Sequence, residues 1–258
     1  MLISTYLYHS GFVIETDNSV LIFDYYRNDP ANGSISDGVI NQKFFESTNK
    51  PIIVFVSHSH YDHFNPVIFE WSQFCPDITY ILSADLPPLA KLGKNRVVIS
   101  PFQNRKIEKE SGLDLTVISI PATDAGNAYL VKVDGMSFYH SGDHANRVRT
   151  GDPKAQSEWM TQTYLNELRW LFMKVSTPIN LAFVPVIAPF EGDYLSSLDL
   201  MIRHYDPKIE HIVPIHLGHP GVDLLVMMSD IFEHALEMGY GEKLLTYNYR
   251  GEKFYEVV

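Results

Sequence analysis

The sequence predicts an α/β chain arranged as a four-layer αββα sandwich, and three observations carry that expectation. Short apolar strands alternate with helical segments along the chain. A strand–turn–strand unit running out in an aspartate occurs twice, over Phe12–Asp24 and over Tyr129–Asp143. No linker or low-complexity tract separates these two similar halves, so residues 1–258 are read as a single domain.

The elements follow in order. Phe12–Asp17 and Val20–Asp24 are short apolar runs around a tight turn. Pro51–Val56 is uniformly apolar, as expected of a strand buried on both faces. Asn65-Pro66, an N-cap followed by proline at the first helical position, opens a helix over 65–74. Leu115–Ile120 is a strand, and Asp134-Gly135 joins the strands 129–134 and 136–143 as a hairpin. From Gln156 to Val175, Trp159, Met160, Tyr164, Leu165, Leu168, Leu171, Phe172 and Val175 recur at helical spacing and predict one broad core-facing stripe. Strands at Leu181–Val186 and His211–His216 alternate with helices at Ser196–Tyr205 and Val222–Met238.

The composition narrows the function. With 45% apolar residues the chain can build a sizeable core. Twenty basic residues against 31 acidic ones give a net charge of −11, which weighs against nucleic acid and towards a small-molecule substrate. A single cysteine, Cys75, excludes an intrachain disulfide and fits a reducing compartment. With no secretory signal and no apolar stretch of transmembrane length, the expected location is the cytoplasm, without a membrane span. A homo-oligomer is compatible with the sequence and not specified by it.

The chemistry is concentrated in Ser57-His58-Ser59-His60-Tyr61-Asp62-His63, directly after the 51–56 strand. Imidazole and carboxylate are the ligands a divalent cation such as zinc takes. In an extended segment, side chains two apart point the same way, so His58 and His60 can share one ion. The turn before Asn65 can then aim Asp62 and His63 at a second. Further ligands are sought at strand ends. Asp143 follows Gly142, whose backbone freedom lets the chain bend towards the ions, and its two oxygens can bridge them. His216 ends a strand ahead of Gly218.

These motifs resemble the metallo-β-lactamase-fold superfamily. The opening Tyr8-His9-Ser10-Gly11-Phe12-Val13-Ile14-Glu15, Asp24 and the closing Pro214-Ile215-His216-Leu217-Gly218-His219-Pro220 narrow the likeness. They are similar to small bacterial metal-dependent hydrolases related to L-ascorbate-6-phosphate lactonase and, more distantly, to N-acyl-phosphatidylethanolamine phospholipases D. The resemblance implies an αββα fold with zinc or manganese, one or two ions per chain, at the sandwich edge. It implies a first ion on His58 and His60, a second on Asp62, His63 and His216, and Asp143 between them. Asp24 would order the histidine loop through hydrogen bonds.

The sequence departs from the family at one point. The family supplies a third histidine to the first ion, but no histidine occurs between His63 and His140. Asp124 is the strong ligand in the matching stretch. Either it replaces the histidine and favours a harder ion such as manganese, or one ion sits at the second position alone, or Asp124 caps its loop.

Hydrolysis follows from this chemistry. A divalent cation acidifies water, giving hydroxide as the nucleophile on a small anionic ester, lactone or phosphoester. Asp62 or Asp143 would orient it, and His144 or His219 could protonate the leaving group. His9 is read as a cleft contact or a packed edge residue, and Glu191 and Asp193 as pocket candidates or parts of a turn made by Gly192. Arg147, Arg149 and Lys154 could attract a phosphate. A phosphodiesterase acting on a nucleotide or phospholipid headgroup, and a metal-binding module without catalysis, are the competing readings.

Overall fold

Two mixed sheets with helices outside them form the expected α/β sandwich in a computed structural model that describes residues 1–109, 112–187, 192–218 and 221–257. The first sheet contains β1 (Leu2–Tyr8), β2 (Gly11–Glu15), β3 (Val20–Phe23), β4 (Ile52–Val56), β5 (Thr79–Ser83), β6 (Arg96–Ile99) and a late strand at Lys253–Val257 that pairs with β1. The second runs in spatial order through β7 (Asn104–Glu108), β8 (Asp114–Pro121), β9 (Asn127–Val133), β10 (Met136–His140), β11 (Ile179–Pro185) and β12 (Ile209–Ile215), taken from the last strand back to the first.

The two similar halves are visible in the pairing. In each sheet an antiparallel hairpin, β2–β3 or β9–β10, passes into parallel strands, β4 or β11. Both crossings deliver the chain to the same edge, where Asp24 and Asp143 end their strands.

Strand alternation explains the layers. Phe12, Ile14, Leu21, Phe23, Ile53 and Phe55 pack between the sheets, against residues such as Val117, Tyr129 and Phe138. The intervening Val13, Val20, Ile22, Ile52, Val54 and Val56 face the other way. They are covered by α1 (Gln42–Glu46) and a 3-10 helix at Pro66–Gln73, through Phe44, Phe45, Ile68 and Trp71. The Asn65 side chain caps that 3-10 helix by accepting from Val67 N–H. The outer face of the second sheet takes α2 (Lys154–Phe172), α3 (Ser196–Tyr205) and α4 (Leu224–Glu237).

Two sequence expectations need correction. The 65–74 helix forms with the tighter 3-10 winding. The apolar stripe of α2 is buried only over its second half, at Tyr164, Leu168, Leu171 and Phe172, while Trp159 is 63% exposed. The first half of the helix keeps the periodicity without the burial. No helix among the described residues is long and apolar enough to cross a membrane.

Candidate metal centre

The site forms where β3, β4, β10 and β12 run out. Asp24 is fully buried at the end of β3. Its carboxylate accepts from Ser57 N–H at 2.8 Å, from Ser57 Oγ at 2.6 Å and pairs with His63 Nδ1 at 2.8 Å. Burial opposes its ionisation, but His63 and the neighbouring histidines hold its carboxyl below the usual range. A charged Asp24 accepts a hydrogen bond from His63 Nδ1–H, which leaves Nε2 as the atom aimed into the site. This is the supporting role expected of Asp24.

Two glycines allow the loops to close around β4. At Gly126, φ is +67°, and a Cβ would lie 2.1 Å from Ser57 O and 2.5 Å from His58 Cβ. At Gly142, φ is +50°, and a Cβ would meet Ser57 Cβ at 2.7 Å. Each must be glycine for the Asp124 and Asp143 segments to lie against the histidine loop.

Asp143 sits at the centre. Its Oδ1 is 3.1 Å from His63 Nε2 and 3.4 Å from His216 Nε2, and its Oδ2 is 3.7 Å from His58 Nε2. Asp143 Oδ1, His58 Nε2 and His63 Nε2 are buried without a hydrogen-bond partner. Buried polar atoms are rarely left so, and a divalent cation among them would satisfy several at once. Burial disfavours a charge on Asp143, but His63, His216 and Arg147 hold its carboxyl well below the ordinary value. Burial likewise opposes protonation of His63, yet the Asp143 and Asp24 carboxylates raise it to about 10. His58, buried beside His63, is pushed down to about 4.

Four donor groups from three separate chain segments, His9, Asp62, His63 and His216, offer atoms within 4.8 Å of one another. Asp62, His63 and His216 are the set expected for the second ion; His9 had not been assigned there. Gly218 N–H donates to His9 Nδ1 at 3.0 Å, so the neutral ring carries its proton on Nε2, which faces Asp62 Oδ2 at 3.5 Å. His9 therefore presents a hydrogen to Asp62 rather than a lone pair to an ion. Burial disfavours the Asp62 carboxylate, but this contact and His63 hold its carboxyl far below the usual range. His9 lay within the Tyr8–Glu15 motif, and its isolation among tyrosines and glycine at a tight turn was the available signal.

The first-ion set is looser. His58 and His60 approach each other and Asp62, while His60, Asp124 and Asp143 form a separate group at the same 4.8 Å limit. Asp124 thus comes close to His60 and Asp143, but both it and His60 are exposed. Arg147 also reaches this corner, donating to Asp143 Oδ2 at 2.8 Å and lying 3.6 Å from Asp124 Oδ2.

The proton-donor expectations fare differently. His144 is fully buried, stacked on Tyr164 with centroids 4.8 Å apart, and burial pushes it down to about 3. It closes the turn from Ser141 by donating its N–H to Ser141 O and sends its ring into the core, away from a leaving group. His219 and Glu191 lie outside the described residues. Beside Asp62 a cavity of about 560 Å³ opens, walled by Tyr8, His9, Tyr26, Arg27 and Tyr61 among others.

Residues 4–158 match the family model described as "Beta-lactamase superfamily domain". A protein named a metal-dependent hydrolase, from Pyrococcus furiosus, is 23% identical over 239 residues, covering 82% of this chain and 83% of its own. Among solved structures, a novel metallo hydrolase from Ignicoccus hospitalis superposes with TM-score 0.62 at 17% identity, covering 100% of this chain and 99% of its own. CmlA, a diiron β-hydroxylase from Streptomyces venezuelae, superposes with TM-score 0.57 at 10% identity, covering 96% of this chain and 53% of its own. These structural likenesses establish a shared fold, which by itself fixes no activity.

Proposed function

The chain belongs to the beta-lactamase superfamily, and from that premise we propose that it is a metal-dependent hydrolase of a small, anionic ester, lactone or phosphoester. The observation that carries this reading is twofold: Asp62, His63 and His216 offer ligand atoms within 4.8 Å of one another, and His63 and His216 both face the buried Oδ1 of Asp143, at 3.1 and 3.4 Å. A zinc or manganese ion held by these groups would supply acidified water and Lewis acidity towards a carbonyl or phosphoryl oxygen.

The chain's own residues supply the rest. Asp24 fixes the tautomer and orientation of His63, and His9 holds one oxygen of Asp62. Asp62 and Asp143 are the carboxylates placed to orient the attacking water. The tyrosine-walled cavity takes the body of the substrate. Proton delivery to the leaving group falls to His219, three positions beyond His216 in the sequence. The net charge of −11 favours a small substrate over nucleic acid, and the single Cys75 fits a reducing compartment such as the cytoplasm.

The test uses chelator-stripped protein, assayed on p-nitrophenyl esters, lactones and bis-p-nitrophenyl phosphate before and after zinc or manganese is restored. Hydrolysis that vanishes with the metal and returns with it is the expected result. Cleavage of the phosphodiester alone would move the substrate class to phosphodiesters. Metal binding with no cleavage of any class would favour the binding module.

A further inference from the structure

Arg147 lies four residues beyond Asp143, and its side chain is only 15% exposed. One guanidinium nitrogen is 2.8 Å from Asp143 Oδ2 and 3.6 Å from Asp124 Oδ2, while Nε is buried without a hydrogen-bond partner. These are the two carboxylates that a first ion would require. The placement is built in from both sides. Thr123 Oγ1 donates to Ala145 O at 2.6 Å and accepts from Ala145 N–H at 2.9 Å, tying the Asp124 loop to the segment before Arg147. Asn146 is pinned in turn, its N–H donating to Ser197 Oγ at 2.9 Å and its Oδ1 accepting from Thr161 Oγ1 at 3.1 Å.

The two oxygens of Asp143 are thereby divided. Oδ1 faces His63 and His216; Oδ2 faces Arg147. A guanidinium is always charged and matches a carboxylate's geometry, so a divalent ion arriving at Asp143 Oδ2 and Asp124 would meet a fixed cation. Charge also balances without that ion. A divalent cation at the buried position is matched by Asp62 and Asp143, and Arg147 is matched by Asp124.

We propose that Arg147 takes the electrostatic place of the first metal ion, so that the protein holds a single divalent ion at Asp62, His63 and His216. The guanidinium, seated on Asp143 Oδ2 and beside Asp124, then holds a fixed positive charge on the far side of Asp143 from that ion. This rests on the metal-dependent reading above and adds to it the ion count and the residue responsible.

The test is metal stoichiometry, read by equilibrium dialysis against zinc or manganese and elemental analysis, so it does not depend on activity. Wild type, Asp124→Ala and Arg147→Met are compared. The expected ratios are one ion per chain in wild type, one in Asp124→Ala and two in Arg147→Met, where both carboxylates are released. Two ions in wild type, or two falling to one in Asp124→Ala, would overturn the proposal by placing Asp124 on an ion. One ion in a folded Arg147→Met would also overturn it, since the arginine would then not be what closes the position. The wild-type and Asp124→Ala ratios decide the matter even if Arg147→Met does not fold. No ion in any of the three would contradict the metal-dependent reading itself.

Discussion

His60 and His63 lie three residues apart in one loop, yet their surroundings differ at every level. His63 is fully buried, held through Nδ1 by an equally buried Asp24, and faces Asp143 with Nε2. His60 is exposed, packed edge-on against the His58 ring at 4.5 Å, and its carboxylate neighbour Asp124 is exposed as well. The backbone repeats the contrast. His9, Asp24 and His216, all behind the buried half, adopt positive φ values of 58°, 42° and 69°. For non-glycine residues each costs on the order of 1 kcal/mol or more and persists only where packing enforces it. The buried half is thus held in place by its own packing and hydrogen bonds, whereas the carboxylates of the open half lie beside an arginine. Two positions that look equivalent in the motif are therefore expected to differ in metal affinity and in sensitivity to mutation.

The sharpest way to break the comparison is to remove a ligand from the buried half. His63→Ala is expected to lower metal affinity by more than the roughly 10- to 100-fold typical of a lost supporting partner, with hydrolysis falling in parallel. Competition against a chromophoric chelator measures the affinity. Asp24→Asn comes next: the ligand stays but loses the charge that fixes its tautomer. Affinity should drop about 10- to 100-fold in the same titration. A smaller loss would mean that packing alone orients His63.

His144 belongs to neither half, and its behaviour with pH checks that boundary. Burial lowers its folded value from 6.5 to about 3, so the unfolded chain takes up a proton first as the solution is acidified. The associated stability is complete above about pH 6.5 and is lost as pH falls towards 3, amounting to about 2 kcal/mol already at pH 5. His144→Phe, which keeps a ring against Tyr164, should therefore lose about 2 kcal/mol less than wild type between pH 7 and pH 5 in denaturant melts. Equal losses, together with a collapse of hydrolysis at neutral pH, would return His144 to the leaving group. The smallest effect is expected in the open half. His60→Gln should change metal affinity by less than about threefold if only the buried position is filled, whereas a ligand of a bound ion would lose far more.

Much of this was readable from residue order. The alternation of apolar residues in Phe12–Asp24 and Pro51–Val56 defines strands with two buried faces, and the spacing from His58 to His63 marks the loop at their end. Asp143 and His216 stood out as candidates because a strand end followed by a turn is a local signal, and the role of Asp24 came from the family resemblance. Strand β7 was not, because its pattern Asn104-Arg105-Lys106-Ile107-Glu108 is polar and exposed at a sheet edge. His144 misled because adjacency in sequence suggested adjacency in the site, while the Ser141–His144 turn sends its ring inward. The pairings that decide the site were beyond reach. His9 meets His216 with ring centroids 4.1 Å apart across 207 positions, and only the sheet edge brings them together. Arg147 was noted as a basic residue near a turn, but its grip on both Asp143 and Asp124 depends on how the Thr123 hydroxyl locks two loops.

The most direct measurement is anomalous diffraction at the absorption edge of the bound metal, from crystals of the zinc- or manganese-loaded protein. A single strong peak enclosed by Asp62, His63, His216 and Asp143 Oδ1, with Arg147 still on Asp143 Oδ2, is the result this account expects. A peak of comparable height between His58, His60 and Asp124, with Arg147 displaced, would contradict it.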